Sequence, residues 1–166
     1  MAQRNGGRER LLMYGETSTP IYKRVMTPED GLRPQLINLY SCHTILIEDV
    51  TLLNSPFWVI HPLFCESLIV RGVNIFNRGP NGDGCDPESC KNVLIENCTF
   101  DTGDDCIAIK SGRNQDGCKW NIPSENIIVR GCFMKNGHGG VVIGSEISGG
   151  YRNLFVENCR MDSPDL

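Results

Sequence analysis

The side chains best suited to acid–base chemistry in this chain are Asp83, Asp104, Asp105 and His138. They fall in three short glycine-rich clusters, NGDGCD at 81–86, TGDD at 102–105 and GHGG at 137–140. Three carboxyls and an imidazole gathered at one place make an acid–base site, because neighbouring carboxyls that stay ionised raise the proton affinity of one of their number. One protonated and one ionised carboxyl are what glycoside hydrolysis uses. Two other readings compete with this one. Asp and Gly are ordinary turn residues, so each cluster alone could be a solvated corner. Clustered carboxylates also suit a calcium ion.

The clusters can meet only if the chain repeats, and it does. TILIEDVTL at 44–52, SLIVRGVNI at 67–75, NVLIENCTF at 92–100, NIIVRGCFM at 126–134 and NLFVENCRM at 153–161 share one pattern. Anchoring on Ile45, Leu68, Val93, Ile127 and Leu154 gives spacings of 23, 25, 34 and 27 residues. Each unit is a β-branched run, a turn residue (Asp49, Gly72, Asn97, Gly131, Asn158) and a second short run. Repeats of this length point to a solenoid, propeller or array. The units show no amphipathic helix, no leucine-rich spacing and too few residues for a propeller blade. The expected fold is therefore all-β, a right-handed parallel β-helix with about five coils.

In such a stack equivalent positions lie about 4.8 Å apart. Val50, Val73, Cys98, Cys132 and Cys159 should form an inward ladder, and Thr44, Ser67, Asn92, Asn126 and Asn153 a polar one. Asp104 lies eleven residues after Val93, and His138 eleven after Ile127. Adjacent coils should thus present Asn81 and Asp83, then Asp104 and Asp105, then His138. Residues 1–35 hold no full unit and read as a loop-rich lead-in, with coils from 36 to 166. The last unit runs straight into DSPDL, so the expectation is a solenoid truncated at its C-terminal side.

Composition narrows the function. The 166 residues carry 16 basic and 20 acidic side chains, a net charge of −4, with no basic tract to suit nucleic acid. No run is long and apolar enough to span a membrane, and residues 1–10 lack the apolar core of a signal peptide. Nine cysteines suggest disulfides, but the repeat puts Cys98, Cys132 and Cys159 in the core, where cysteine serves as a small hydrophobe. There is no CxxC pair to hold zinc. Cys118, in the longest interval between units, is the cysteine expected to be exposed.

At these residues the chain resembles the polygalacturonase family of glycoside hydrolases. Asn81, Gly82 and Asp83, then Gly103, Asp104 and Asp105, then Gly137, His138 and Gly139 match three of its motifs in order. The strings RPQLINL, NSPFWVIHPLFC, GPNGDGCDPESC, TGDDCIAIKSGR and GSEISGG extend the likeness over 33–150, most closely to exo-acting and plant-like members. The resemblance implies hydrolysis of α-1,4-galacturonosyl bonds by inversion, with no metal or other cofactor. It makes Asp104 the general acid, Asp83 and Asp105 the residues that hold and activate the attacking water, and His138 the support for the acid's protonation state and for the substrate. Asn81 and Gly139, within the motifs, fall in the substrate-binding set.

The family's Arg-x-Lys motif, a clamp for the substrate carboxylate, has no counterpart after Gly139, as truncation would explain. Lys110 and Arg113 are the remaining candidate cations near the cleft, with a solvated loop as the alternative. Trp120, in the long interval at 111–124, is a candidate sugar-stacking residue. Trp58 reads as core packing. His61 reads as a structural histidine and a second-rank candidate for the cleft. The expected partner is a pectic polysaccharide or oligogalacturonide, met by a monomer outside the cell, in the cell wall or in a periplasm. The rivals are a calcium-dependent pectate lyase and an inactive pectin-binding fragment.

Overall fold

The computed structural model describes residues 6–163, so readings that rest on the first five residues or on 164–166 lie outside the described residues. The chain divides into two compact units, Met1–Pro34 and Gln35–Leu166. The first holds a helix, α1 (Gly6–Glu16), where a loop-rich segment was expected. Its apolar residues Leu11, Leu12 and Met13 are consecutive and exposed, so they give none of the 3.6-residue periodicity that reveals a helix. Within this unit Arg10 pairs with the buried Asp30 at 2.8 Å.

The second unit is a parallel β-solenoid of about five coils. The first coil contributes β1 (Ile37–Tyr40), β2 (His43–Glu48) and β3 (Thr51–Leu53), and the second β4 (Ile60–Leu63), β5 (Glu66–Arg71) and β6 (Asn74–Asn77). The third contributes β7 (Lys91–Glu96) and β8 (Thr99–Thr102). The fourth has β9 (Ile107–Ile109), a helix α2 (Asn114–Trp120), β10 (Ser124–Arg130) and β11 (Phe133–Lys135). The fifth has β12 (Val141–Ile143), β13 (Tyr151–Glu157) and β14 (Arg160–Asp162).

Strands stack in the order β2, β5, β7, β10, β13 on one face and β3, β6, β8, β11, β14 on a second. The third face is shorter. There β1 pairs with β4, the single bridges Ile60 to Cys85 and Cys85 to Ile107 continue the line, and β9 pairs with β12. All these pairings are parallel.

The register matches the repeat, with Ile45, Leu68, Val93, Ile127 and Leu154 facing one another in turn. Leu68, Val70, Val73, Ile75, Ile95, Phe100, Val129 and Met134 fill the interior of the middle coils. In the ladder expected after the turn, Val73, Cys98 and Cys132 are buried. Cys159 is partly buried and Val50 is exposed, because the outer coils have a described neighbour on one side only. All nine cysteines are free thiols, and Cys118 is exposed.

Two ladders use left-handed backbone. The turn residues Asp49, Gly72, Asn97, Gly131 and Asn158 have φ of 52°, 59°, 53°, 61° and 53°. The polar slot was expected only to bond along the stack. It is also left-handed, with φ between 54° at Asn126 and 60° at Ser67, so the regular pairing lapses at this one position of each first strand while the register on either side of it is kept. Asn is the residue that tolerates this best after glycine. Asn126 donates to Asn92 at 3.0 Å and Asn153 to Asn126 at 2.9 Å. In the turn slot the side chains of Asp49 and Asn97 lean into the space that a Cβ on Gly72 and Gly131 would occupy. Side chain and bare backbone therefore alternate up the stack.

Candidate active site

The carboxylates stand at the corners that lead into the short third face, and the coil-to-coil hydrogen bonds continue through those corners. Val59 N–H donates to the Asp83 carbonyl at 2.9 Å, Gly84 N–H to Asp105 at 3.0 Å and Cys106 N–H to Gly139 at 2.8 Å. His138 N–H donates to the Asp104 carbonyl at 3.2 Å. The Thr102 hydroxyl caps the same carbonyl at 2.8 Å. Close stacking demands glycine here. A Cβ on Gly84 would stand 2.5 Å from the Phe100 ring, and one on Gly139 would strike the Val142 side chain and come within 3.1 Å of Asp105 Oδ1.

One oxygen from each of Asp83, Asp104 and Asp105 lies within 4.8 Å of the others. His138 Nδ1 stands 3.5 Å from Asp104 Oδ1, with its side chain 63% exposed, so the cluster opens to solvent on that side. Asn81 Nδ2 reaches Asp104 Oδ2 at 3.5 Å. The four residues singled out for chemistry, and Asn81 beside them, are thus brought together. Asp83 is buried, and burial followed by the nearby charge of Asp104 pushes its carboxyl up to about 6. Burial and Asp104 also raise Asp105.

The other candidates have different surroundings. Lys110 is not a solvated loop residue. It is buried, with Nζ 2.9 Å from Glu146 Oε2, 3.2 Å from the Gly144 carbonyl and 3.9 Å from Asp86 Oδ1. It also lies 4.7 Å from the centre of the Trp58 ring. Burial opposes its charge, but Asp86 and Glu146 outweigh that and raise it. Arg113 stands exposed at the N-cap of α2 and forms no ion pair with the carboxylates among the described residues. His61 is buried. Asn38 donates to its Nδ1 at 3.0 Å, leaving Nε2–H to donate to Glu88 at 2.8 Å. That satisfied geometry is the structural one. Trp58 stacks on Phe57 at 4.9 Å and is half-buried.

Two residues escaped the sequence reading. Asp86 is fully buried, neither of its oxygens has a hydrogen-bond partner among the described residues, and burial with Asp83 nearby lifts its carboxyl well above the usual range. Its signal was the second Asp of NGDGCD, to which the sequence reading assigned no role. Glu146 pairs with Lys110 from 36 residues away, a separation that no local pattern reveals. The three clustered oxygens could also help to hold a cation, although calcium takes about six to eight oxygen ligands and would need water or substrate to complete its shell.

Carboxyls of unequal proton affinity gathered at one corner of a parallel β-helix define a candidate acid–base site. The chain belongs to the glycosyl hydrolases family 28, whose model matches residues 25–165. It is 38% identical over 129 residues to a probable polygalacturonase of Vitis vinifera, covering 76% of this chain and 26% of that protein. It is 35% identical over 128 residues to the exo-poly-alpha-D-galacturonosidase of Dickeya chrysanthemi, covering 76% of this chain and 21% of that one. Among solved structures it resembles a hyperthermoactive exopolygalacturonase from Thermotoga maritima, with a TM-score of 0.87 and 46% identity over 94% of this chain and 36% of that one. The chain therefore spans about a fifth to just over a third of the length of these relatives.

Proposed function

We propose that this chain forms the acid–base part of a hydrolase that cleaves α-1,4-galacturonosyl bonds in pectic chains. The observation that carries the reading is the convergence of Asp83, Asp104 and Asp105, one oxygen of each within 4.8 Å of the others, with His138 at 3.5 Å from Asp104. Asp104, partly exposed and beside His138, protonates the departing glycosidic oxygen. Asp83 and Asp105, whose raised proton affinities make them stronger bases than ordinary carboxylates, hold and deprotonate water. Asn81 and His138 orient Asp104. Lys110, braced by Glu146, keeps Asp86 and the floor of the site in place.

Membership in a hydrolase family sets aside the lyase reading. Exo-polygalacturonase relatives, and the extra helix α2 in the fourth coil, support attack from chain ends. A monomer acting outside the cell fits a polymeric substrate, and among the described residues no helix is long and apolar enough to cross a membrane.

Two stereochemical courses are open to paired carboxyls. Inverting enzymes usually hold their carboxyls about 6.5–9.5 Å apart and retaining ones about 5–5.5 Å. The family resemblance implies direct attack by water, and the 4.8 Å here, which joins nearest oxygens rather than whole carboxyl groups, does not oppose it. Reducing-end release from polygalacturonate with chelator present, with the first product followed by proton NMR, tests both. Chelator-resistant release that is lost in Asp104→Asn supports the hydrolase, and the anomer formed first decides between the courses. Release that persists in Asp104→Asn, or that appears only with calcium, overturns the assignment.

A further inference from the structure

At the far ends of the third-face strands, one strand length from the carboxylates, lies a second concavity of about 240 Å³. Three aromatic rings mark it. Tyr40 meets Phe64 edge-on at 6.0 Å, and Phe64 meets Trp120 at 5.6 Å. Tyr40 and Trp120 are more than half exposed.

Phe64 has a φ of 55°, an unusual setting for a bulky side chain. Ser41, Ser89 and Ser111 hold the equivalent place in the neighbouring coils, each donating its N–H to the next coil as Phe64 does to Glu88. Phe64 is thus the one aromatic among these four equivalent residues. The wall made by α2 is close-packed, because a Cβ on Gly117 would stand 2.6 Å from Gly112.

The polar lining is unfinished. Ser111 lines the concavity and is 1% exposed, yet its hydroxyl has no hydrogen-bond partner among the described residues. A buried hydroxyl without a partner is costly, and an entering ligand that can both donate and accept relieves it. The other polar side chains of the lining are Tyr40, Ser89, which donates to the Ile122 carbonyl, Glu88, already receiving His61, and Asp116. Lys119 shares helix α2 with Asp116 and stands 5.9 Å from the Trp120 ring, so that helix carries one charge of each sign and gives a cation no net pull. The two carboxylates disfavour an anionic ligand.

We propose that this concavity binds an uncharged saccharide unit, stacked on Trp120 and Phe64 and hydrogen-bonded to Ser111 and Asp116. The site is distinct from the carboxylate cluster and selects against the uronate that the cluster would process.

The test is a titration of the 166-residue chain with galactobiose, an uncharged disaccharide, and with digalacturonate as its charged counterpart, followed on the Ser111 and Gly112 amide resonances. Galactobiose is expected to shift both saturably and to bind more tightly than digalacturonate. Trp120→Ala should weaken it about tenfold, as loss of one stacking partner does. Asp116→Asn should narrow the gap between the two sugars, and Asp104→Asn should leave galactobiose binding unchanged even if hydrolysis fails. No saturable shift, equal affinity for both sugars, or full affinity in a folded Trp120→Ala chain overturns the proposal.

Discussion

Glu96 and Asp83 are both buried carboxylates of the third coil, and they have opposite relations to the proton. Glu96, at the end of β7 in the middle of the long strand stack, lies between Arg71 at 2.6 Å and Arg130 at 2.7 Å, and those two bonds hold its carboxyl below the usual range. Asp83, at the corner, has one oxygen without a hydrogen-bond partner among the described residues and is pushed up by burial and by Asp104. The regular faces satisfy what they bury. The corner concentrates charge that it does not satisfy, and that imbalance makes a group reactive near neutral pH.

The largest way to sharpen this contrast is chemical. Asp104→Asn in the whole enzyme should lower kcat about 10²–10⁴-fold, the usual loss on removing a general acid, with a melting temperature close to the parent's. Kinetics on polygalacturonate beside a thermal melt check both halves.

The reverse pattern belongs to the core. Phe100→Ala removes a fully buried ring that packs against Gly84, and should cost about 3–5 kcal/mol in urea unfolding.

The pH dependence should split the two carboxylates. A carboxyl raised in the fold binds more protons folded than unfolded. The stability linked to Asp83 is therefore complete below about pH 3.8 and is lost as pH rises through about 6. Asp83→Asn should stabilise the chain at pH 7 by about 1–2 kcal/mol, discounted for solvent that reaches the corner past His138, and should have little effect at pH 4. Glu96→Gln should do the opposite, lowering the melting temperature at pH 7 because its paired carboxylate contributes only where it is ionised. Melts of both variants across pH 4–7 should cross; parallel curves would remove the distinction.

The smallest effect belongs to the polar ladder. Asn126→Ala breaks the bonds to Asn92 and Asn153 and puts alanine at a φ of 54°, for about 1 kcal/mol or slightly more.

Much of this was legible because a solenoid turns sequence spacing into spatial adjacency. Val93 and Ile127 announced their register by matching neighbours, and equal offsets from them carried Asp104 and His138 to one corner. The helices were not legible. α1 has its apolar residues in a row, and α2 has only seven residues, with a glycine inside it. The left-handed setting of Asn92 and Asn126 was hidden because these residues sit inside runs that read as plain strand. Lys110 was misplaced for a different reason. Its partners Asp86 and Glu146 lie on the coil before and the coil after it, so its burial depends on three coils at once.

The alternation of Asp49, Gly72, Asn97, Gly131 and Asn158 gives the stack a parity. Asp49 and Asn97 each place a side-chain oxygen in the space that Gly72 and Gly131 leave bare, so a side chain added at either glycine would have to turn that oxygen aside. Duplicating one coil would set two like turns face to face and ask for the same adjustment. Duplicating an adjacent pair would keep the order. Lengthening such a stack by a pair of coils therefore preserves its turn contacts, whereas lengthening it by one coil replaces one of them.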